Sequence, residues 1–181
     1  MTVEHSTVSG GVMSKRTVAV AAVVGFAFAG GWWAHAQTGA AAMTLTAADH
    51  AEIRQIVLRL GEGADFNDSD LWVSQWTPDG SWTHPDGESY VGHDRLKAYR
   101  RSTRLPGGGA SDRRHWFNGV VLTPTADGAA GRTYTMLLDI GVAPPTIVSA
   151  GQYDDVFVRT ADGWRIKQRV VTSYTLPLRG R

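Results

Sequence analysis

Two ionisable residues fifty positions apart carry the strongest chemical signal in this chain. Asp65 stands in Gly63-Ala64-Asp65-Phe66-Asn67-Asp68, where an amphipathic helical pattern ends. His115 stands in Arg114-His115-Trp116-Phe117-Asn118-Gly119, entering a strand-like segment. Each sits among aromatic and apolar neighbours. A carboxylate beside an imidazole makes a proton-abstracting pair, because the acid orients the ring and stabilises its charged form while the ring takes the proton. If the fold joins them, the pair can do acid–base chemistry on a small molecule. Taken singly, each has a plainer reading. An Asp at a helix C-terminus is ordinarily a solvated or capping residue and opposes the helix dipole. A His beside Trp and Phe is ordinarily a packed structural histidine. Asp68 is the more ordinary capping residue.

The elements that must position this pair follow from periodicity and turn chemistry. Thr46-Ala47-Ala48-Asp49 resembles a capping box, with Asp in place of Glu. Ile53, Ile56, Val57, Leu60 and Ala64 then fall on one helical stripe, which predicts a helix ending near Asp65–Asn67. A second short helix holds Leu71, Trp72, Val73 and Trp76, and Pro78-Asp79-Gly80 turns the chain. Ser81–His84 and Glu88–Val91 read as a small hairpin around Pro85-Asp86-Gly87. A third helix covers roughly Arg95–Arg101, and Leu105-Pro106-Gly107-Gly108-Gly109-Ala110 reads as a flexible surface loop or a mobile lid. Four strand-like segments follow, at about 113–123, 131–141, 148–160 and 163–174. Ala126-Asp127-Gly128, Ala143-Pro144-Pro145 and Ala161-Asp162-Gly163 separate them. Helices first and hairpin-linked strands after predict an α+β fold. A mostly antiparallel sheet, strongly curved over three helices, makes a cone-shaped α+β barrel with an apolar interior suited to a small molecule.

Charge and composition remove other classes. The 181 residues carry 18 basic and 17 acidic side chains, and residues 37–181 carry 16 of each. That balance argues against a nucleic-acid partner, which needs a basic face. Arg100-Arg101, Arg104 and Arg113-Arg114 read as solvated loop charges. The chain has no Cys, which excludes disulfides and thiolate metal sites. His50, His84 and His93 show no metal-ligand spacing, so neither a metal nor a cofactor is expected.

The N-terminus carries a location signal. Lys15-Arg16 precedes an apolar run from Thr17 to Ala34, and Ala34-His35-Ala36 has the small-x-small pattern of a cleavage site. The expectation is a signal peptide over 1–36, with translation starting at Met1 or Met13, and an exported (periplasmic or secreted) protein beginning at Gln37. The alternative is an uncleaved membrane anchor, for which the run of 18 residues is marginal. Residues 37–43 read as a linker, 44–176 as the folded domain, and 177–181 as a tail.

The order of elements and several local motifs resemble the SnoaL-like branch of the nuclear-transport-factor-2-like cone fold. The likeness extends to two of its lyases, scytalone dehydratase and hexachlorocyclohexane dehydrochlorinase. It covers about residues 44–176. Its carriers are Ala51-Glu52-Ile53, Gly63-Ala64-Asp65, Trp76-Thr77-Pro78-Asp79-Gly80-Ser81-Trp82, Arg114-His115-Trp116-Phe117-Asn118, Gly151-Gln152-Tyr153-Asp154-Asp155 and Asp162-Gly163-Trp164-Arg165-Ile166. In those lyases an Asp ending the first helix bonds a His on the first long strand, and Asp65 and His115 fall on these positions. The resemblance implies His115 as general base and Asp65 as its orienting partner. The dehydratase's second pocket His has no counterpart in Arg132–Asp139. Its pocket Asn corresponds to Asp154, with a shift of one residue open, and an Arg of the dehydrochlorinase falls near Arg159.

Trp82 and Trp116 are the tryptophans expected in the cavity, with Trp72, Trp76 and Trp164 in the core. Tyr134 and Tyr153 offer phenolic hydrogen bonds to a ligand, or are buried structural residues. The functional expectation is a cofactor-independent lyase or isomerase that abstracts a proton from a hydrophobic small molecule. It proceeds by β-elimination, including dehydration, or by double-bond migration. A binding module with the same cavity and an assembly domain are the alternatives. The expected assembly is a homodimer or homotrimer, with membrane contact only if the N-terminal segment is uncleaved.

Overall fold

The computed structural model describes residues 43–103 and 112–174. The segments read as signal peptide, glycine loop and tail lie outside them, as does the linker except Met43.

Helix α1 (Ala47–Asp65) begins at a complete capping box. The Asp49 N–H donates to Thr46 Oγ1 at 3.2 Å, and the Thr46 N–H donates to Asp49 Oδ2 at 2.8 Å. The shorter Asp therefore serves where Glu is usual. Ile53, Ile56, Val57 and Leu60 are all at most 4 % exposed. Each such buried aliphatic contributes about 1.5–3 kcal/mol. Helix α1 stops at Asp65, and Asn67 takes a positive φ of 58° to redirect the chain. Asp68 then caps α2 (Ser69–Ser74), accepting from the N–H groups of Asp70 and Leu71.

Strand β1 (Trp76–Thr83) runs straight through the expected turn at Pro78-Asp79-Gly80. Its pairing register slips between Trp76 and Ser81 instead. A bulge absorbs the proline, which has no N–H for the ladder. Gly80 allows the close approach, since a Cβ there would lie 3.2 Å from the Ile166 carbonyl oxygen. The hairpin forms as expected, with β2 (Ser89–Val91) antiparallel to β1. Helix α3 spans His93–Ser102.

The first of the four expected strands is two. Strand β3 (Arg113–Phe117) and β4 (Val121–Pro124) flank a break at Asn118-Gly119-Val120, where Gly119 has φ 102°. Strands β5 (Gly128–Asp139), β6 (Thr146–Thr160) and β7 (Gly163–Ser173) complete a sheet of order β2-β1-β7-β6-β5-β3, with β4 also on β5. All pairings are antiparallel except β1 with β7. The architecture is α+β, as expected.

Trp72, Trp76 and Trp82 pack with ring centroids 5.1–6.2 Å apart in the core. Beside them, β6 and β7 bury a bidentate ion pair. Arg169 Nε and a terminal guanidinium nitrogen donate to the two Asp155 oxygens at 2.6 and 2.7 Å, and both side chains are at most 1 % exposed. The guanidinium also lies 4.1 Å from the Tyr153 ring centroid. Burial pushes the Asp155 carboxyl upward, opposed by Arg169. Among the described residues, no helix is long and apolar enough to cross a membrane.

Candidate active site

The last residue of α1 meets the middle of β3. His115 Nδ1 lies 2.6 Å from Asp65 Oδ1. The His115 backbone N–H donates to the same carboxylate, at 3.0 Å to Oδ2 and 3.2 Å to Oδ1. One buried carboxylate thus holds both the main chain and the ring of one residue. With Nδ1–H donated to Asp65, the neutral ring keeps its lone pair on Nε2. Phe117 stacks on the imidazole at 5.9 Å and 28°. Gly61, one turn before Asp65, admits this packing: a Cβ there would lie 2.6 Å from Phe117 Cε2 and 3.6 Å from His115 Cβ. The Arg114 guanidinium sits 4.9 Å from the Phe66 ring centroid and ties the helix end to β3 from the other side.

Asp65 and His115 open onto a cavity of about 580 Å³ between the helices and the sheet. Trp82 and Tyr153 line it, as do Tyr99, Thr135 and Leu137. Burial raises the pKa of the Tyr153 phenol, with Arg169 opposing, and burial likewise raises Tyr99. Both stay protonated near neutral pH and are able to donate to a ligand oxygen.

Four expected pocket residues lie elsewhere, three of them because of strand alternation. His115 faces inward, so its neighbour Trp116 faces out and is 61 % exposed. Thr135 and Leu137 face inward on β5, so Tyr134 faces out, beside a separate groove that also holds His50 and Arg54. Tyr153 faces inward on β6, so Asp154 faces out, where it accepts from Arg132 Nε at 2.7 Å and Gln152 Nε2 at 2.6 Å. Arg159 lies too far along β6; it pairs with Asp49 and covers the Trp164 ring at 5.2 Å.

The cavity also holds residues that sequence reading passed over. His84, Arg100 and Arg113 line it. Arg100 and Arg113 thus line the cavity and are not the solvated loop charges expected from the sequence. Arg113 was open to a better reading, since it lies two positions before His115 on one strand and so shares its face. Among the described residues, two guanidinium groups and two imidazoles therefore border a space whose one lining carboxylate, Asp65, is engaged with His115. Among the described residues, no three His, Cys, Asp or Glu side chains are grouped to hold a metal.

An α+β cone enclosing a cavity, with a carboxylate-held imidazole in its wall, has the nuclear-transport-factor-2-like fold. The SnoaL-like domain family matches residues 45–170, and the chain belongs to that family. Solved structures carry the same fold. An NTF2-like protein with a cystatin-like fold from Novosphingobium aromaticivorans is 21% identical with TM-score 0.61, over 72% of this chain and 84% of that one. A Catenulispora acidiphila protein in complex with S-DNPA is 26% identical with TM-score 0.61, over 71% and 95%. A candidate scytalone dehydratase from N. aromaticivorans is 16% identical with TM-score 0.58, over 74% and 89%. No curated protein matches the chain in sequence.

Proposed function

We propose that the chain is a cofactor-independent lyase or isomerase in which His115 Nε2 removes a proton from carbon. The observation that carries the reading is the 2.6 Å contact between His115 Nδ1 and Asp65 Oδ1 at the cavity wall. A base held in one tautomer supplies about two to four orders of magnitude. Positioning of the substrate by the surrounding walls supplies the rest. The SnoaL-like family membership and the fold shared with a candidate dehydratase support the reaction class. The test is an untargeted metabolite screen with purified protein, with His115→Ala beside it. Turnover in the parent should vanish in the variant while ligand binding stays within about tenfold, because a base acts mainly in the transition state. Full turnover in a natively stable His115→Ala ends the assignment. Binding without turnover in the parent points to a binding module instead.

Export belongs to the same proposal. Mass spectrometry of protein from the export compartment should find an N-terminus at Gln37. An intact Met1 or Met13 terminus in the membrane fraction indicates an anchor.

A further inference from the structure

An elimination needs two proton movements, and His115 accounts for only one. The departing group also needs a proton unless it is a stable anion. His84 stands at the end of β1, and the sheet order puts β1 near one end and β3 at the other. The cavity spans between them and is lined by both His84 and His115.

His84 is built much as His115 is. Its Nδ1 lies 3.1 Å from Asp86 Oδ1. That carboxylate is fixed by its own turn, since the same oxygen accepts the Glu88 N–H at 2.9 Å. The turn closes through two backbone bonds, from the His84 N–H to the Glu88 carbonyl at 2.8 Å and from the Gly87 N–H to the His84 carbonyl at 2.9 Å. Gly87 takes φ 95° there, a conformation glycine adopts without cost. The Asp86 carboxyl is held below its ordinary value, first by the Glu88 N–H and then by His84. It therefore stays an anion facing the His84 ring. The ring meets Tyr99 edge-on at 6.4 Å, and 37 % of its side-chain surface is exposed, so core packing does not account for it. The other charged or titratable groups lining the same cavity are Arg100, Arg113, Tyr153 and the Asp65–His115 pair, and Glu88 lies on the same hairpin as His84.

We propose that His84 is the general acid, delivering a proton to a leaving oxygen, so that the substrate class is one that loses water or an alcohol. This rests on His115 being the base. Neutral His115 takes the proton from carbon through Nε2. The C–H electron pair becomes the new C=C bond. The adjacent C–O bond breaks, and its pair takes the proton from Nε2 of His84. The products are an alkene and water or alcohol, with His115 now protonated and His84 neutral. One proton returned from His115 to His84 through solvent restores the starting state.

Two probes with similar acidic C–H groups separate the roles. 4-Hydroxy-4-phenylbutan-2-one must expel water. 4-(4-Nitrophenoxy)butan-2-one expels 4-nitrophenolate, which leaves without a proton. His84→Gln should slow the hydroxy ketone about 100-fold and the nitrophenoxy ketone by less than about threefold. Asp86→Asn, an exposed change within the hairpin, should show the same selectivity more weakly. His115→Gln should slow both probes about 100-fold or more. With the hydroxy ketone the parent rate should fall at high pH as well as low, and His84→Gln should lose the high-pH fall. Melting curves run beside the kinetics separate unfolding from chemistry. Equal losses on both probes in His84→Gln, or no loss on the hydroxy ketone, overturn the general-acid role and leave His115 standing. Full activity in His115→Gln, or no parent turnover of either probe, overturns the base reading beneath it.

Discussion

Asp65 does two things with one carboxylate. It anchors the β3 main chain through the His115 N–H, and it selects the ring tautomer through Nδ1. Asp65→Asn separates them. The amide oxygen can still accept the backbone N–H, so the melting temperature should change little. The amide NH₂ can donate to Nδ1, which moves the ring proton to Nε2 and removes the base. The rate should fall about 10²–10⁴-fold. In Asp65→Asn, raising the pH should not restore it, because the defect is the tautomer and not the charge. A pH–rate profile of both proteins decides the point, and full recovery at high pH would refute the tautomer account. The pair was legible in the sequence because residue type and place in the element order pointed the same way. The misplaced neighbours shared one cause. A strand's faces are phased only when one inward residue is known, and taking His115 as inward already turns Trp116 out. Tyr153 and Asp154, being adjacent, had to split in the same way.

At the scale of elements, the capping box, the α1 stripe and the Pro85-Asp86-Gly87 hairpin were readable because each depends on residues close in sequence. The β1 bulge and the β3–β4 break were not, because each depends on a distant partner strand. The contact of α1 with β3 is equally non-local, and it can be tested at Gly61. Gly61→Ala gains about 1 kcal/mol of helix propensity but drives a methyl into the Phe117 ring, an overpacking that costs about 1–3 kcal/mol. Stability by urea denaturation should therefore drop only modestly, while the rate falls as Phe117 shifts against His115. An unchanged rate would show that the stacking is dispensable. The β6–β7 ion pair makes a sharper test. Arg169→Met leaves Asp155 buried without its partner and should cost about 3–5 kcal/mol. Asp155→Leu with Arg169→Met should recover most of it, since an apolar pair of similar volume is often neutral or better. A double variant no more stable than the single one would mean that the pair's geometry is itself required.

At the scale of the molecule, one sheet surface is left uncovered among the described residues. Trp116 pairs across from Met136, with Tyr134 two positions along β5, and all three are exposed. We propose this face as the contact between copies in a homodimer. A stable interface of ordinary size buries about 1,600 Å² in total, and this face supplies its apolar centre. Sedimentation analysis should give a dimer for the parent and a monomer for a Trp116→Lys, Tyr134→Lys double variant, with the melting temperature of the isolated fold retained. A double variant that still sediments as a dimer places the contact elsewhere.

The parallel pairing of β1 with β7 joins the first strand of the domain to its last. Loop-closure entropy must be met before so distant a pairing stabilises anything, which makes the step slow. Until Gln168, Arg169 and Val170 arrive, the inner part of β1 has no ladder on that side, and Trp82 has not met the Arg169 guanidinium. Synthesis delivers those residues after the other strands of the sheet, so a chain still growing holds α1, the hairpin and an unclosed sheet. Such a chain keeps its sheet unclosed until β7 emerges.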